Sequence, residues 1–277
     1  MAYTRNSETQ IYFECHGDGK ETIVLVPGLG LNVDSWLPVT DILARKYTVV
    51  VLDPRGSGKS EVSDIHSYSG DSVAKDVKSV LDTLGIESCH IAGVSMGGMI
   101  AQDFMIRNSS RIKSAVLFST FARPDAWFTR LFEVRRELIE KIGFVEHFKL
   151  FQMFIFSPFS YRDYPERVRA VQETVARNPP KEDGYLRQVD YCSNHDVLDE
   201  LAGIALPVLV VSGANDTLTP PYLGEDISKA LPNAKYIEVQ GASHGLVFER
   251  PEAVALVIDN FVNNCGSDFN IDGNFFD

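Results

Sequence analysis

A serine hydroxyl attacks carbonyl carbon only when a neighbouring base takes its proton. One serine sits where that chemistry is mechanically favoured. In Gly93-Val-Ser95-Met-Gly97-Gly98 the hydroxyl residue follows the apolar run Cys89–Val94, which reads as a strand. It precedes Met96 to Arg107, which reads as a helix. A nucleophile on a sharp strand-to-helix turn needs small residues two positions to either side, because the strained backbone brings them close. The turn lifts the hydroxyl clear of the sheet, and the following helix aims its N-terminus at the site. A tight turn carrying an incidental serine is the competing reading, and the flanking strand and helix weigh against it.

The base must be one of six histidines: His16, His66, His90, His147, His195 or His244. His90 lies inside the apolar strand before Ser95 and reads as a packed core residue, and His16 lies in a hairpin turn. His244, in Gly241-Ala-Ser-His244-Gly-Leu, follows the last strand at the edge of the sheet where ligands bind in open α/β folds. An imidazole acting as base needs a carboxylate to hold its tautomer and stabilise its charged form. Asp216, in Gly213-Ala-Asn-Asp216-Thr-Leu-Thr-Pro220, follows the preceding strand in the same manner, with a turn former or helix cap as the alternative reading. The oxyanion of a tetrahedral intermediate needs amide donors. The N–H of Met96 is one candidate, and the N–H of Leu29, in Val26-Pro27-Gly28-Leu29-Gly30, is the other, a simple Gly-Pro turn being the alternative there. Because the imidazole must be neutral to act, kcat/KM is expected to rise with pH near neutrality.

These residues require a sheet to carry them. Strand signals fall at Ile11 to Glu14, Glu21 to Pro27, Tyr47 to Asp53, Cys89 to Val94, Lys113 to Ser119, Pro207 to Ser212 and Ala234 to Val239. Several are apolar throughout, as in sheets buried on both faces. Helical spacing appears from Ser72 to Leu84, Met96 to Arg107, Tyr222 to Ala230 and Pro251 to Val262. Alternating strands and helices imply a mostly parallel sheet with helices on both faces. Residues 121–203 break the alternation with helix signal and nine of the seventeen phenylalanines. With Trp127, Met153 and Tyr161 they suit a lid over a pocket, plain core packing being the alternative for any single ring.

With Ser95, Asp216 and His244 in that chain order, the sequence closely resembles the α/β-hydrolase superfamily over nearly all of residues 10–262. Trp36 in Asn32-Val-Asp-Ser-Trp36 and the run Asp53-Pro-Arg-Gly-Ser-Gly-Lys-Ser60 look like two further signatures of the family. The resemblance implies an α/β-hydrolase fold: a mostly parallel eight-stranded sheet flanked by helices, with a helical cap inserted after the sixth strand. Residues 1–120 and 204–263 would form the core, 121–203 the cap and 264–277 a flexible acidic tail. Many members carry His-Gly where this chain has Pro27-Gly28; that histidine is usually a structural support for the oxyanion loop, so its loss bears on the loop's detailed geometry and not on the mechanism. Ser95-Met-Gly-Gly-Met-Ile-Ala-Gln102 and the His195-Asp196 pair are similar to the 3-oxoadipate enol-lactonase-like and carboxylesterase group, and to the C–C hydrolases of aromatic ring cleavage. The implied activity is hydrolysis of a small, mostly apolar carboxylic ester or lactone through an acyl-enzyme. Trp127, Phe128, Phe154 and Leu218 are the candidates for the substrate pocket. C–C bond hydrolysis, or a non-hydrolytic ligand receptor or cyclase on the same scaffold, are the alternatives.

Composition narrows the rest. A net charge of −12 disfavours nucleic acid and anionic lipid, which need clustered Lys and Arg. No apolar run approaches the roughly 20 residues of a membrane span, and the N-terminus lacks a signal-peptide core. Cys15, Cys89, Cys192 and Cys265 lack metal-ligand spacing, which fits a reduced compartment and a cytoplasmic location. No metal or organic cofactor is implied; the partner is a small-molecule substrate, and the chain is expected to be a monomer or homodimer. Two motifs mislead. Gly58-Lys59-Ser60 resembles the end of a phosphate loop, but Asp53 stands where the first glycine is required and Pro54 removes a donor. Asp268 to Asp277 matches the first half of a calcium loop and stops before its bidentate twelfth ligand, so it reads as a frayed tail.

Overall fold

The computed structural model describes residues 2–63 and 68–264. His66, Cys265 and the expected acidic tail with its half calcium loop lie outside the described residues. Eight strands form one sheet: β1 (Ala2–Arg5), β2 (Gln10–His16), β3 (Thr22–Val26), β4 (Thr48–Leu52), β5 (Cys89–Val94), β6 (Ile112–Phe118), β7 (Val208–Gly213) and β8 (Ala234–Val239). Their order across the sheet is β1-β2-β4-β3-β5-β6-β7-β8. β1–β2 and β2–β4 pair antiparallel, and every other pair is parallel. The central strands β3, β5 and β7 are buried at every residue, as a sheet covered on both faces requires.

The helices are α1 (Leu37–Leu43), α2 (Gly70–Leu84), α3 (Met96–Arg107), α4 (Ala126–Ile142), α5 (Phe144–Ile155), α6 (Pro158–Asp163), α7 (Pro165–Arg177), α8 (Glu182–Ser193), α9 (Pro221–Ala230), α10 (Leu246–Glu249) and α11 (Pro251–Asn263). Local chemistry sets their ends. Ser69 and Ser72 cap one another at the start of α2, and Gly85 closes it in the left-handed region at φ 66°. One core cluster lies where α2 and α3 cover the sheet, the other where α1 and α11 cover it. β3 sends the chain towards β4 and then across to β5, so the winding reverses between β3 and β5. Ligands bind in such folds at that reversal, beyond the C-terminal ends of the strands.

Helices α4 to α8 leave the sheet after β6 and return before β7. The two ends of this excursion are tied together. Arg123 pairs with Asp196 and Asp199 at 2.8 Å each, and the Val197 N–H donates to the Ala122 carbonyl at 2.8 Å. His195 and Asp196 therefore do not act as a pair: His195 turns inward to Asp103, its Nδ1 3.3 Å from the carboxylate, while Asp196 stays at the surface. The aromatic residues of the excursion also divide. Phe128, Phe132, Phe148 and Phe151 are buried, whereas Met153, Phe159 and Tyr161 are exposed, so the inward-facing aromatic surface is a stripe on each helix and not the whole cluster.

His147 of α5 lies buried among Phe144, Phe151 and Tyr185, and neither ring nitrogen has a hydrogen-bond partner. Burial, and secondarily the guanidinium of Arg135, hold its pKa down to about 4. The unfolded chain then binds more protons than the folded one between pH 4 and the ordinary histidine value of about 6.5, so this group's contribution to stability is lost as pH falls through that window. His90, hydrogen-bonded to Ser114 at 2.8 Å, is held down to about 4 by burial and acts in the same direction. Asp53, pushed up to about 6 by burial, acts in the opposite one. Comparison with a single variant isolates one group. His147→Leu is expected to lose less stability than the wild type between pH 7 and pH 4.5, read as urea midpoints at the two pH values. Parallel losses would show that His147 is not a source of the acid sensitivity.

Candidate active site

Ser95 occupies the turn between β5 and α3 with φ 55° and ψ −120°, a backbone region that L-residues rarely adopt. Such strain costs about 1–3 kcal/mol and persists only where the surroundings enforce it. Here they do. The Ser95 N–H donates to the Phe118 carbonyl at 2.9 Å, and its own carbonyl accepts from Thr120 Oγ1 at 2.8 Å and Gly98 N at 2.9 Å. A Cβ on Gly93 would stand 2.2 Å from the Gly97 carbonyl oxygen, and one on Gly97 would stand 2.0 Å from that of Val26. Both glycines are therefore steric requirements of the turn.

Asp216 and His244 come from the loops after β7 and β8. Those loops are stitched together by the Asn215 N–H, which donates to the Ala242 carbonyl at 2.8 Å. Asp216 is held from both sides. Its Oδ1 accepts the backbone N–H groups of Leu218 at 2.9 Å and Thr219 at 2.8 Å, while its Oδ2 accepts the Thr219 hydroxyl at 2.8 Å. The same Oδ2 lies 2.9 Å from His244 Nδ1, leaving Nε2 as the nitrogen available to other groups. The helical cap secures the histidine loop: the Gly245 N–H and the Ser243 hydroxyl both donate to the Ile155 carbonyl, each at 2.8 Å. The buried Glu249 carboxylate accepts from the Ser243 N–H at 3.1 Å and from the Ser160 hydroxyl.

Ser95 and His244 line one cavity, together with Gly28, Leu29, Phe128 and Leu218. Among the described residues no hydrogen bond joins the Ser95 hydroxyl to the imidazole; such contacts often tighten only when substrate binds. The backbone N–H groups of Leu29 and Met96 likewise make no hydrogen bond among the described residues. Trp127 and Phe154 do not line this cavity. The inward stripe of α4 runs through Phe128, Leu131, Phe132, Arg135 and Ile139, so the neighbouring Trp127 is turned outward. Trp127 is 45 % exposed and its indole N–H donates to the Thr217 carbonyl. On α5 the cavity receives Phe148, Phe151 and Ile155, whereas Phe154 packs against Phe151 with ring centroids 5.1 Å apart.

Three residues that the motifs did not indicate stand at the site. Thr219 contacts both Asp216 and His244, the latter at 3.1 Å; its signal was the Asp-x-x-Thr spacing of a side-chain-capped turn. Arg135 lines the cavity, and its signal was a charge in phase with the apolar stripe of α4. Gln188 of α8 supplies support to the loop that lacks the usual histidine. Its Oε1 accepts the Gly30 N–H at 2.9 Å, and its Nε2 donates to the Arg55 carbonyl at 2.8 Å and the Ser57 hydroxyl at 2.9 Å. Gln188→Leu leaves the Gly30 N–H beside an apolar group and frees the loop that carries Leu29. It is expected to lower kcat about tenfold with a smaller change in KM, measured by steady-state kinetics on a short ester. A change confined to KM would place Gln188 in binding alone.

The Asp53 run forms a knot and not a phosphate cradle. Asp53 accepts the N–H groups of Val33 and Lys59 at 2.7 Å each, so its own carboxylate fills the place an anion would need. Gly58, at φ 50°, would bring a Cβ to 2.2 Å from that carboxylate.

Comparison with known proteins identifies the family and the fold. The model of a family described as having the alpha/beta hydrolase fold matches residues 21–251. Over 255 residues, 91% of this chain and 94% of the relative, the sequence is 28% identical to RutD of Azorhizobium caulinodans, assigned as a carbamate hydrolase. Over 248 residues, 87% of this chain and 93% of the relative, it is 32% identical to BpoC of Mycobacterium tuberculosis, assigned as a non-heme bromoperoxidase. The crystal structure of the enol-lactonase from Burkholderia xenovorans superposes with a TM-score of 0.86 at 25% identity, covering 95% of this chain and 100% of that one.

Proposed function

This chain belongs to the α/β-hydrolase fold family, and from that premise we propose that it is a serine hydrolase of small carboxylic esters or lactones, working through an acyl-enzyme. The observation that carries this reading is the Asp216–His244 pair at 2.9 Å beside a cavity that Ser95 shares. In the proposed reaction His244 Nε2 takes the Ser95 proton as Oγ adds to the substrate carbonyl. The N–H groups of Leu29 and Met96 receive the oxyanion. The imidazolium, its charge offset by Asp216, then passes its proton to the departing alkoxide, and the acyl group stays on Ser95. A water molecule, deprotonated by the same nitrogen, releases the acid. With a lactone, the departing alcohol remains tethered to the acyl group.

The relatives' assignments bear on the choice of test substrates. A carbamate presents its carbonyl to the same three side chains, as does the ketone of a ring-cleavage product, so the discriminating quantity is kcat/KM across an ester, a lactone, a carbamate and a dienoate. The nucleophile is tested with a fluorophosphonate: the wild type is expected to gain one adduct, located on Ser95 by peptide mass, and Ser95→Ala to gain none. Adduct formation at another residue, or equally in both proteins, would sink the assignment. Residues 121–203 are proposed to act as the lid, and the protein is proposed to work in the cytoplasm as a monomer or homodimer on a small molecule. Among the described residues no helix is long and apolar enough to cross a membrane.

A further inference from the structure

The loop that carries Leu29 divides two chambers. Leu29 lines the cavity of Ser95 and His244, Gly30 lines a second chamber outside it, and Leu31 lines both. Phe248 of α10, which follows His244 in the chain, also lines both. Leu31 and Phe248 therefore stand at the doorway between the two. The outer walls are Pro38 of α1, Val171 and Val175 of α7, and Pro251 at the start of α11. Ala170, Thr174 and Asn178 on the α7 side are exposed, so this chamber opens to solvent.

The two volumes are unequal. The inner cavity measures about 60 Å³ and the outer chamber about 330 Å³. An apolar cavity of about 150 Å³ holds a benzene ring. The inner cavity thus has room for a short acyl group only, while the outer chamber accepts a ring or a hexyl chain. Charge narrows the occupant further. Arg167 brings a cation to the lining, but its guanidinium is committed: it pairs with Glu252 at 3.0 and 3.1 Å and donates to the Glu249 carbonyl at 2.7 Å. Asp34 adds a second carboxylate to the lining. The Thr174 hydroxyl turns to its own helix, donating to the Ala170 carbonyl at 2.8 Å. The result is an apolar chamber whose rim disfavours anions.

We propose that the outer chamber is the subsite for the alcohol half of the ester, and that the substrates join a short acyl group to an apolar, uncharged alcohol. The proposal rests on the serine-hydrolase reading and deepens it. The order of bond breaking decides which half goes where. The acyl group stays bonded to Ser95 until water enters, so it suits the enclosed cavity. The alcohol leaves first, with the proton that His244 gives it, and water takes its place. It belongs on the side that opens to solvent, past Leu31 and Phe248.

The test compares hexyl acetate with ethyl hexanoate, isomers that place four methylenes on opposite sides of the scissile bond. Burying one methylene is worth about fourfold in binding, so four of them set an upper limit of about 200-fold. Wild-type kcat/KM is expected to favour hexyl acetate by about tenfold or more, which asks for the equivalent of about two buried methylenes. Val171→Trp, which fills the chamber from α7, is expected to lower the kcat/KM ratio of hexyl acetate to ethyl acetate by about tenfold. Should that variant not fold, Ala170→Phe fills the chamber from an exposed position and is read in the same way. 6-Acetoxyhexanoate, which is hexyl acetate with a terminal carboxylate, is expected to show a kcat/KM lower by about tenfold or more. Equal kcat/KM for the two isomers, or a preference for ethyl hexanoate, would overturn the proposal. So would an unchanged ratio in the folded variant, or 6-acetoxyhexanoate cleaved as well as hexyl acetate. If the wild type cleaves neither isomer, the ester reading fails, and titration with 1-hexanol followed by backbone amide NMR shifts decides the chamber by itself. Shifts at Leu31 and Phe248 that vanish in Val171→Trp keep it as an apolar alcohol site, and their absence in the wild type removes it.

Discussion

Ser95→Ala is expected to lower kcat on p-nitrophenyl acetate by several orders of magnitude, up to about 10⁶-fold, while the fold survives. The size of the loss follows from the chemistry: without Oγ no acyl-enzyme forms, and the imidazole has no hydroxyl to deprotonate. Some turnover above the rate in water would remain, because the N–H groups of Leu29 and Met96 and the cavity itself are untouched. The survival of the fold follows from the local bonds. The turn is held by the Ser95 backbone, through the Phe118 carbonyl, Thr120 Oγ1 and Gly98 N, and none of these uses the side-chain hydroxyl. Alanine at φ 55° carries backbone strain of the same kind as serine, so the melting temperature should shift little. Initial rates at saturating substrate, with thermal melts of both proteins, make the comparison. Equal rates in the wild type and Ser95→Ala would refute the nucleophile.

The sequence made the centre of the sheet legible because β3, β5 and β7 are buried on both faces and therefore read as mostly apolar runs. β1 escaped because Ala2–Arg5 is an edge strand of four residues with one buried side chain, and a polar edge leaves no such run. The turn around Ser95 was legible because close approach admits only glycine at positions 93 and 97, a constraint local to six residues. The loops bearing Asp216 and His244 could be placed from the strands before them. The pocket was less legible, for a geometric reason. Helical phase decides which side chain enters it, and an error of one residue turns a ring through about 100°; Phe128 lines the cavity while Trp127 faces outward. Long-range support was not legible at all. Gln188 meets Gly30 across 158 residues, and no local pattern marks either as the other's partner.

Asp216→Asn is expected to lower kcat by about 10⁴-fold, and the geometry says why a change of one atom should matter so much. Asp216 Oδ1 faces two fixed donors, the N–H groups of Leu218 and Thr219. An asparagine there would turn its only oxygen to those donors and place its NH₂ at the position of Oδ2. That NH₂ would face His244 Nδ1, now 2.9 Å from Oδ2, as a donor. The imidazole must then accept at Nδ1 and carry its proton on Nε2, which removes the lone pair that would take the Ser95 proton. The overall geometry is retained while the tautomer is wrong. Two further results separate this account from a general loss of packing. Ser95→Ala/Asp216→Asn should be scarcely slower than Ser95→Ala alone, because the aspartate acts only through the base and the base acts on the hydroxyl. Thr219→Val, which removes a hydroxyl touching both partners but leaves the carboxylate, should cost about tenfold. A loss in Asp216→Asn no greater than that in Thr219→Val would mean the carboxylate does not set the imidazole's tautomer, and the assignment of His244 as base would lose its support.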